Sequence, residues 1–409
     1  MFICDDHTKI RILAWGDRVN IMPAMHILRF ALVLVAAASL CLPMQGQDVW
    51  QMQESGTTAG LRGIDSVDGT VAWASGTGGT VLKTVDGGAH WTACAVPDGD
   101  KDGGTLDFRG VQAFNANAAI IMSSGKGKLS RLYKTTNGCK SWKLIFVNPD
   151  KEGFWDAISF QLRHEEPEGR KIPEWMDGWL LGDPVDGRFS LFRTINSGKD
   201  WNRHKNSGLG ADPSKQGVFA ASNSSLIAAD GMPAFGSGGL EGAFIRLETQ
   251  IAACIDDCSP ADMNVDGKRD KWLQEPVPLG NGTESSGIFS IASRFQSRSP
   301  YIYGDALVAV GGNYTKPNES GVTAARSGDG GRTWVASIIP PHGYRSTVQW
   351  GESIKVWVTA GTNGSDFSSD DGKTWKPLDD GNWNALSLPF VVGPKGRIGR
   401  LNAAAIPKP

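Results

Sequence analysis

Residues 84–91 read TVDGGAHW, and close copies of this phrase return along the chain. In each copy the Asp or Asn at the third position can bond its own backbone, and the glycines that follow accept positive φ without steric cost. The closing Trp begins a strand and offers a large apolar body to a neighbouring sheet. The other copies are TTNGCKSW at 135–142, TINSGKDW at 194–201, SGDGGRTW at 327–334 and SDDGKTW at 369–375.

Short apolar strands and glycine turns precede these copies, as in TVAWA at 70–74 and VWVTA at 356–360, and the chain contains 52 Gly and 15 Trp. Repeated units of roughly 40–50 residues with four strands each are typical of propeller blades. We therefore predict an all-β fold, a seven-bladed β-propeller of four-stranded antiparallel blades. The N-terminal strand VWQM at 49–52 is expected to close the ring. The inner strands are expected to begin near residues 62, 109, 155, 218, 288, 345 and 383.

The first 47 residues are predicted to be an N-terminal extension and a secretory signal peptide. The apolar run FALVLVAAASLCL at 30–42 suits a signal sequence and is too short to cross a bilayer. Residues 48–409 are then one propeller domain with an insertion at about 250–285, exported to the periplasm or the cell exterior. A net charge of −2 gives no support for a nucleic-acid or anionic-membrane partner, and we expect no nucleic-acid partner. We expect a monomer without a transmembrane segment in the mature chain.

Four cysteines remain after the signal segment, which allows three disulfide connectivities. Cys94 follows the first repeated turn and Cys139 lies within the second, so we expect them to join adjacent blades. Cys254 and Cys258 are close enough in sequence to close a small loop in the insertion. The alternative is that all four are free thiols.

The turns resemble the Asp-box, or bacterial neuraminidase repeat, of sialidases, sortilin-type propellers and the photosystem II stability and assembly factor family. The similarity to the last family extends over about residues 48–405 and includes LRGI at 61–64, AWASG at 72–76 and AGTNGS at 360–365. This resemblance implies an exported, non-enzymatic propeller that binds a protein partner, a membrane-protein assembly intermediate, through an arginine-rich surface. The insertion departs from the compact propeller of that family.

Three arginines stand at the predicted starts of inner strands: Arg62, Arg109 and Arg345. Inner strands that start at one end of a ring bring such residues to one mouth of the central channel. Three guanidinium groups at that mouth would bind a carboxylate or a phosphate. Tyr344 and Asp156 lie at the same strand ends and complete the predicted partner-binding site.

Two other interpretations of these residues remain open. In the first, the arginines form salt bridges with inner-strand carboxylates such as Asp65 or Asp107. In the second, the protein is a sialidase-like glycosidase that uses the arginine-lined mouth. That activity requires a Tyr nucleophile paired with a Glu, for which the sequence offers Tyr344 with Glu241 or Glu284.

The stretch DMNVDGKRD at 262–270 is similar to the front of a calcium-binding loop. Asp262, Asn264, Asp266 and Asp270 occupy oxygen-ligand positions around a central glycine. Position twelve is Leu273, where a calcium loop has a bidentate Glu. The stretch is therefore a candidate calcium site, with a solvated turn as the alternative. We expect no other cofactor.

Overall fold

The computed structural model describes residues 48–98, 101–162, 176–204, 209–229, 232–250, 269–280, 282–295 and 303–407. These residues form seven antiparallel sheets and belong to one compact unit, Asp48–Pro409. Among the described residues the helical structure consists of short 3₁₀ turns at Gly103–Thr105, Gly127–Leu129 and Ala403–Ala405. The predicted all-β, seven-bladed propeller is confirmed.

The strands follow one another blade by blade. After β1 (Trp50–Gln53), the first blade contains β2 (Leu61–Ser66), β3 (Ala72–Gly76), β4 (Val81–Thr84) and β5 (Thr92–Ala93). The second contains β6 (Phe108–Ala113), β7 (Ala119–Ser123), β8 (Arg131–Thr135) and β9 (Lys143–Val147). The third contains β10 (Trp155–Leu162), β11 (Met176–Val185), β12 (Arg188–Thr194) and β13 (Asn202–Arg203).

The later blades are less regular in sequence. A short strand β14 (Gln216–Gly217) precedes the fourth blade, which contains β15 (Leu226–Ala229), β16 (Met232–Gly236), β18 (Ala243–Gln250) and β19 (Arg269–Pro276). The fifth contains β20 (Thr283–Arg294), β21 (Ala306–Asn313), β22 (Ala324–Ser327) and β23 (Val335–Ala336), and β17 (Gly238–Gly239) joins β14 to its edge. The sixth contains β24 (Thr347–Gly351), β25 (Val356–Gly361), β26 (Gly364–Ser368) and β27 (Lys376–Asp379). The seventh contains β28 (Ala385–Ser387), β29 (Phe390–Val392) and β30 (Ile398–Leu401).

The first strands of the seven blades form a continuous ring. Each contacts the first strand of the next blade, and β28 of the seventh contacts β2 of the first. Apolar side chains fill the space between neighbouring sheets, as where Trp73 of the first blade packs with Phe108 and Ile121 of the second. This ring brings the beginnings of distant segments to the same end of one channel.

The N-terminal strand completes the seventh sheet. Strand β1 pairs antiparallel with β30, with Trp50 opposite Leu401. The Trp50 indole lies 5.9 Å from that of Trp383, and its Nε1 donates to Ser365 Oγ over 3.0 Å. The expectation that this strand holds the ring closed stays a prediction.

Two expectations about the fourth blade need correction. Its first strand begins at Leu226 and not near residue 218, because residues 218–221 run in front of the blade without regular pairing. Part of the expected insertion is the outer strand β19, which pairs with β18 along its whole length. Side-chain burial at Trp272 supports that position, since a free insertion would expose it.

The repeated turns use their carboxylates for their own backbone, as the sequence indicated. Asp329 Oδ1 accepts from the N–H groups of Thr333 at 2.9 Å and Arg332 at 3.0 Å. Asn137 and Asn196 accept from the equivalent N–H groups in their turns, at 3.1 and 3.0 Å. One amide or carboxylate oxygen is therefore enough for this turn.

Cys94 and Cys139 lie beside each other, with Cα atoms 5.3 Å apart and the two sulfur atoms at bonding distance. Cys94 directly follows β5 and Cys139 lies in the turn after β8, so a bond here joins the first and second blades. Cys254 and Cys258 lie outside the described residues. Both predicted disulfides stay predictions.

Candidate functional site

One mouth of the channel holds a cavity of ≈ 450 Å³. Arg62, Arg109, Asp156 and Tyr344, four of the five residues predicted for a binding site, line it. The cavity therefore brings together residues that are far apart in the chain. Its other lining residues include Asp183, Phe219, Phe289, Tyr314, Ser346 and Asn384.

Most charged residues of this mouth are placed there by β-bulges. The pairing of β2 with β3 passes from Leu61 to Gly63, so that Arg62 is the extra residue. The register shifts in the same way at Arg109 in β6, Asp156 in β10 and Phe289 in β20. A bulge turns one side chain out of the ordinary alternation of a strand. The same irregularity, repeated around the ring, aims these side chains into one cavity.

The two arginines of the mouth share one carboxylate. Arg109 Nε donates to Asp107 Oδ2 over 2.8 Å, and Arg62 Nε lies 3.9 Å from Asp107 Oδ1. Both arginine side chains are half-buried, and Arg62 Nε has no hydrogen-bond partner among the described residues. Burial, together with the charge of Arg109, lowers the pKa of Arg62 from its ordinary value. Salt bridging by Asp107 is therefore present, and it leaves part of Arg62 available to a ligand.

A second pair of charged groups, Asp156 and Asp183, lies in the same cavity. Asp156 is 1 % exposed, and its Oδ2 has no hydrogen-bond partner within the described part of the chain. Asp183 is the extra residue of a bulge in β11, and its Oδ1 accepts from the N–H of Val218 over 2.9 Å. Burial raises the pKa of Asp156 well above the ordinary range, and the charge of Asp183 adds to the shift. Burial also raises the pKa of Asp183.

Aromatic side chains form one wall of the cavity. The rings of Phe219 and Phe289 are stacked with centroids 3.8 Å apart and planes 5° apart. The edge of Tyr314 meets both rings, at 6.3 and 6.1 Å, and Tyr344 stands edge-on to Phe289 at 4.8 Å. Flat apolar surface next to charged groups is typical of sites that bind organic ligands or peptide side chains.

The prediction that Arg345 points into the mouth is wrong. Its side chain is fully buried, and its guanidinium pairs with Asp366. Arg345 and Leu61 hold equivalent positions, each close to a glycine at the end of the second strand of its blade. A Cβ added to Gly361 would lie 3.1 Å from the Cα of Arg345, and a Cβ added to Gly76 would lie 3.0 Å from the Cα of Leu61. Arg345 thus occupies the buried position that Leu61 holds in the first blade, and the next residue faces the mouth. In the sixth blade that residue is Ser346.

The mouth does not reproduce the nucleophile of a sialidase. Tyr344 is 4 % exposed, and burial raises its pKa above the ordinary value, which opposes nucleophilic attack by its oxygen. The carboxylates among the described lining residues are Asp156 and Asp183. Glu241 instead pairs with Lys215 at 2.8 Å. Glu284 is exposed on β20.

Most of the candidate calcium loop lies outside the described residues. Asp262, Asn264 and Asp266 lie outside the described residues, and Asp270 falls within strand β19, where it pairs with Thr249. Within the described residues, no group of three or more His, Cys, Asp or Glu side chains is arranged to hold a metal ion.

A second cavity, of ≈ 290 Å³, lies where the middles of the inner strands meet and includes Asp65, Gln112 and Gln349. Asp65 Oδ2 accepts from Gln112 Nε2 at 2.9 Å and from the N–H of Ala113 at 2.7 Å. Burial raises the pKa of Asp65 to about 6. The alternative salt bridge between Asp65 and an arginine is not among the ion pairs of the described residues, whereas the one with Asp107 is.

Four residues of the cavity were not predicted from the sequence: Asp183, Phe219, Phe289 and Tyr314. A signal for Phe289 existed, because aligning the first strands of the blades places it at the position of Arg62. Asp183 interrupts the apolar strand GWLLGDPV at 178–185, which is an unusual place for a carboxylate. Phe219 and Tyr314 lie in irregular segments, whose position no strand pattern predicts.

The fold and the mouth define this chain as a seven-bladed β-propeller with a mixed-charge, aromatic-walled cavity at one end of its channel. No family model matches the chain, and no curated protein matches it. One similar solved structure, described as YCF48 bound to D1 peptide, is 19% identical, with a TM-score of 0.49, covering 88% of this chain and 99% of that one.

Two further solved structures are similar over most of the chain. YCF48 from Cyanidioschyzon merolae is 18% identical with a TM-score of 0.45, and the match covers 87% of this chain and 99% of that chain. The computationally designed Ika8 protein is 9% identical with a TM-score of 0.44, covering 86% and 98% of the two chains. Structural similarities with such low sequence identity and TM-scores do not indicate the function of this chain. The part of the chain that the structure describes contains no helix with the length and hydrophobicity of a membrane span.

Proposed function

We propose that this protein is an exported β-propeller that binds a segment of a protein partner at the channel mouth and has no chemistry of its own. The observation that carries the proposal is the set of bulged residues Arg62, Arg109, Asp156 and Phe289 around one cavity. Bulges at the ends of four different blades concentrate charge and aromatic surface in one place. A fold-stabilising role would not require that arrangement.

The cavity suits a side chain or a chain end of a larger partner. Its volume of ≈ 450 Å³ lies in the range of ligand pockets, and its aromatic wall can bury an apolar group while the charged groups orient it. A partner peptide is also present in the YCF48 structure described as bound to D1 peptide, although that description concerns the other protein. An assembly or stability factor, as in the family that the sequence resembles, is the role we propose for this binding.

The proposed export rests on the apolar segment at 30–42, which has the length of a signal sequence. Periplasmic or extracellular location would also suit the adjacent cysteines Cys94 and Cys139, since disulfides persist in oxidising compartments. N-terminal sequencing of the protein secreted by its native host would test this part of the proposal.

The binding proposal is tested by capturing partners from native extracts with the full chain. Arg62→Ala with Arg109→Ala should abolish capture, because both guanidinium groups of the mouth are lost. Lys140→Ala with Lys143→Ala is the matched control, because both lysines are exposed on the outer part of the second blade. Cross-links mapped by mass spectrometry should fall at the mouth. Equal capture by the arginine double variant and the wild type would reject this site.

The absence of catalysis is tested separately with a fluorogenic sialoside. Turnover that disappears in Tyr344→Phe would replace the binding proposal with a glycosidase. We expect no turnover, because Tyr344 is buried against Phe289.

A further inference from the structure

The charge of the mouth is not that of a simple anion site. Two guanidinium groups, those of Arg62 and Arg109, face three carboxylates, those of Asp107, Asp156 and Asp183. Asp107 already offsets Arg109 at 2.8 Å. When all five groups are ionised, the negative charges outnumber the positive ones. A ligand that supplied only negative charge would therefore leave the acidic pair without compensation.

Asp156 gives the strongest indication that a positive group is missing. It is almost completely buried, its Oδ2 has no hydrogen-bond partner among the described residues, and it lines the cavity. A buried carboxylate oxygen without a partner is costly, since burial removes its hydration and nothing replaces it. Asp183 also lines the cavity and is only half-buried, so this member of the pair is the more accessible one.

On the basis of the proposed function, we propose that Asp156 and Asp183 form a cation subsite within the mouth, which takes an organic ammonium group of the bound segment. The ligand is therefore bipolar: its ammonium group meets the two aspartates, and a carboxylate beside it meets Arg62. The ammonium group comes from a lysine side chain or from a chain amino terminus. Both sources share this chemistry and are separated by the experiment.

The aromatic wall favours an organic cation over a bare metal ion. Phe219 directly precedes Ala220, whose backbone N–H faces Asp156, and it stacks on Phe289. An alkylammonium group held by the aspartates can place its apolar stem against these rings, and cation–π attraction adds to the ion pair. The described residues also lack a group of three metal-ligating side chains.

Binding of a cation at this subsite should depend on pH. Burial and mutual repulsion raise the pKa of the two aspartates, while Arg109 opposes the shift at Asp156. The other titratable residues that line the cavity are Arg62, Arg109, Tyr314 and Tyr344, and Asp107 pairs with Arg109. A cationic ligand favours the ionised form of both carboxylates and lowers these raised pKa values, which links its binding to pH. Affinity for the cation should rise with pH, whereas affinity for an anion at Arg62 should not.

The test compares two probes with the same aromatic body and opposite charge, phenethylammonium and 3-phenylpropionate. Binding to the full chain is measured by ligand-observed NMR over a pH series. The wild type should bind phenethylammonium more tightly as pH rises. Asp156→Asn and Asp183→Asn should each weaken that binding by about tenfold, the loss expected for one charge-assisted hydrogen bond. Asp186→Asn, at an exposed turn of the same blade, is the matched control and should change nothing.

Several outcomes would overturn the subsite. One is a wild type that does not bind phenethylammonium, and another is binding that both aspartate variants leave unchanged. If one variant fails to fold, the other decides. Arg62→Ala should weaken 3-phenylpropionate binding and leave phenethylammonium binding in place, and the reverse would also overturn the assignment. Loss of partner capture in the arginine double variant, with no ammonium binding, would retain the proposed function and reject this inference alone.

A second stage identifies the source of the ammonium group. Captured partner segments are synthesised with an acetylated amino terminus or with lysine replaced by norleucine. Loss of binding on one of these changes, and not the other, assigns the group that meets Asp156 and Asp183. Binding that survives both changes together would show that no ammonium group is used and would overturn the inference.

Discussion

The Nε atom of Arg345 lies 2.6 Å from Oδ2 of Asp366, and neither side chain reaches solvent. Arg345 also donates to the carbonyl oxygen of Tyr344 over 2.7 Å. This arginine therefore holds together the sixth blade, and it is not available to a ligand. Any test of the mouth must leave it intact, because a variant at this position would change folding and binding together.

Arg345→Ala should lower the free energy of unfolding by about 3–5 kcal/mol, because Oδ2 of the buried Asp366 carboxylate loses its guanidinium partner and only His342 remains, at Oδ1. Urea denaturation measures the effect. Arg62→Ala is the control and should cost less than about 1 kcal/mol, since Arg62 is half-buried and only loosely paired. Similar urea midpoints for the two variants would contradict the buried ion pair.

Asp65 should make stability fall as pH rises across the acid range. Its pKa is about 6 in the folded protein against 3.8 in the unfolded chain, so the folded state holds the proton more tightly between these values. The free energy of unfolding therefore decreases from about pH 4 to about pH 6, by at most about 3 kcal/mol from this group. Asp65→Asn should flatten this part of the pH profile. A profile identical to that of the wild type would show that Asp65 titrates normally.

Asp329→Ala should destabilise the fifth-blade turn by about 0.5–2 kcal/mol, the cost of losing a side-chain cap on backbone N–H groups. Asp329→Asn should cost much less, because Asn137 and Asn196 hold the equivalent turns with one amide oxygen. Thermal denaturation of both variants separates the two cases. Equal losses would mean that the negative charge, and not the acceptor oxygen, stabilises the turn.

Cys94→Ser with Cys139→Ser should lower the free energy of unfolding by about 2–4 kcal/mol, because a bond across 45 residues restricts the unfolded chain. Mass spectrometry after thiol alkylation should find both cysteines unlabelled in the native protein. A reductant should then destabilise the wild type and leave the double variant unchanged. Free thiols at both positions in protein purified from an oxidising compartment would reject the disulfide.

Trp50→Ala tests whether the N-terminal strand closes the ring. The variant should cost about 3–5 kcal/mol, since it removes a buried indole that packs on Trp383. Met52→Ala is the control on the same strand, because Met52 is 55 % exposed, and it should stay within about 0.5 kcal/mol of the wild type. Loss of the protein's cooperative unfolding in Trp50→Ala would support closure. Wild-type stability in that variant would show that β1 is dispensable.

The architecture could be predicted because it depends on local chemistry that repeats. An Asp or Asn, a Gly and a Trp at fixed spacing make the same turn wherever they occur, as at Asp86 and Asp370. Five of the seven blades contain this turn, and the seven units have no route to bury their apolar faces except against one another. The fourth blade was placed imperfectly because it lacks this turn, so its first strand could not be distinguished from residues 218–221.

The binding mouth was only partly accessible from the sequence. Arg62 and Arg109 were found because strand starts converge in a ring, and Arg345 was misplaced by a single position. Side chains of a strand alternate between faces, so a shift of one residue exchanges a buried position for an exposed one. The chain pattern by itself determined a propeller with polar residues at one end. Only the tertiary structure decided which of them face the cavity, because the bulges at Arg62, Arg109, Asp156 and Asp183 arise from pairing between strands.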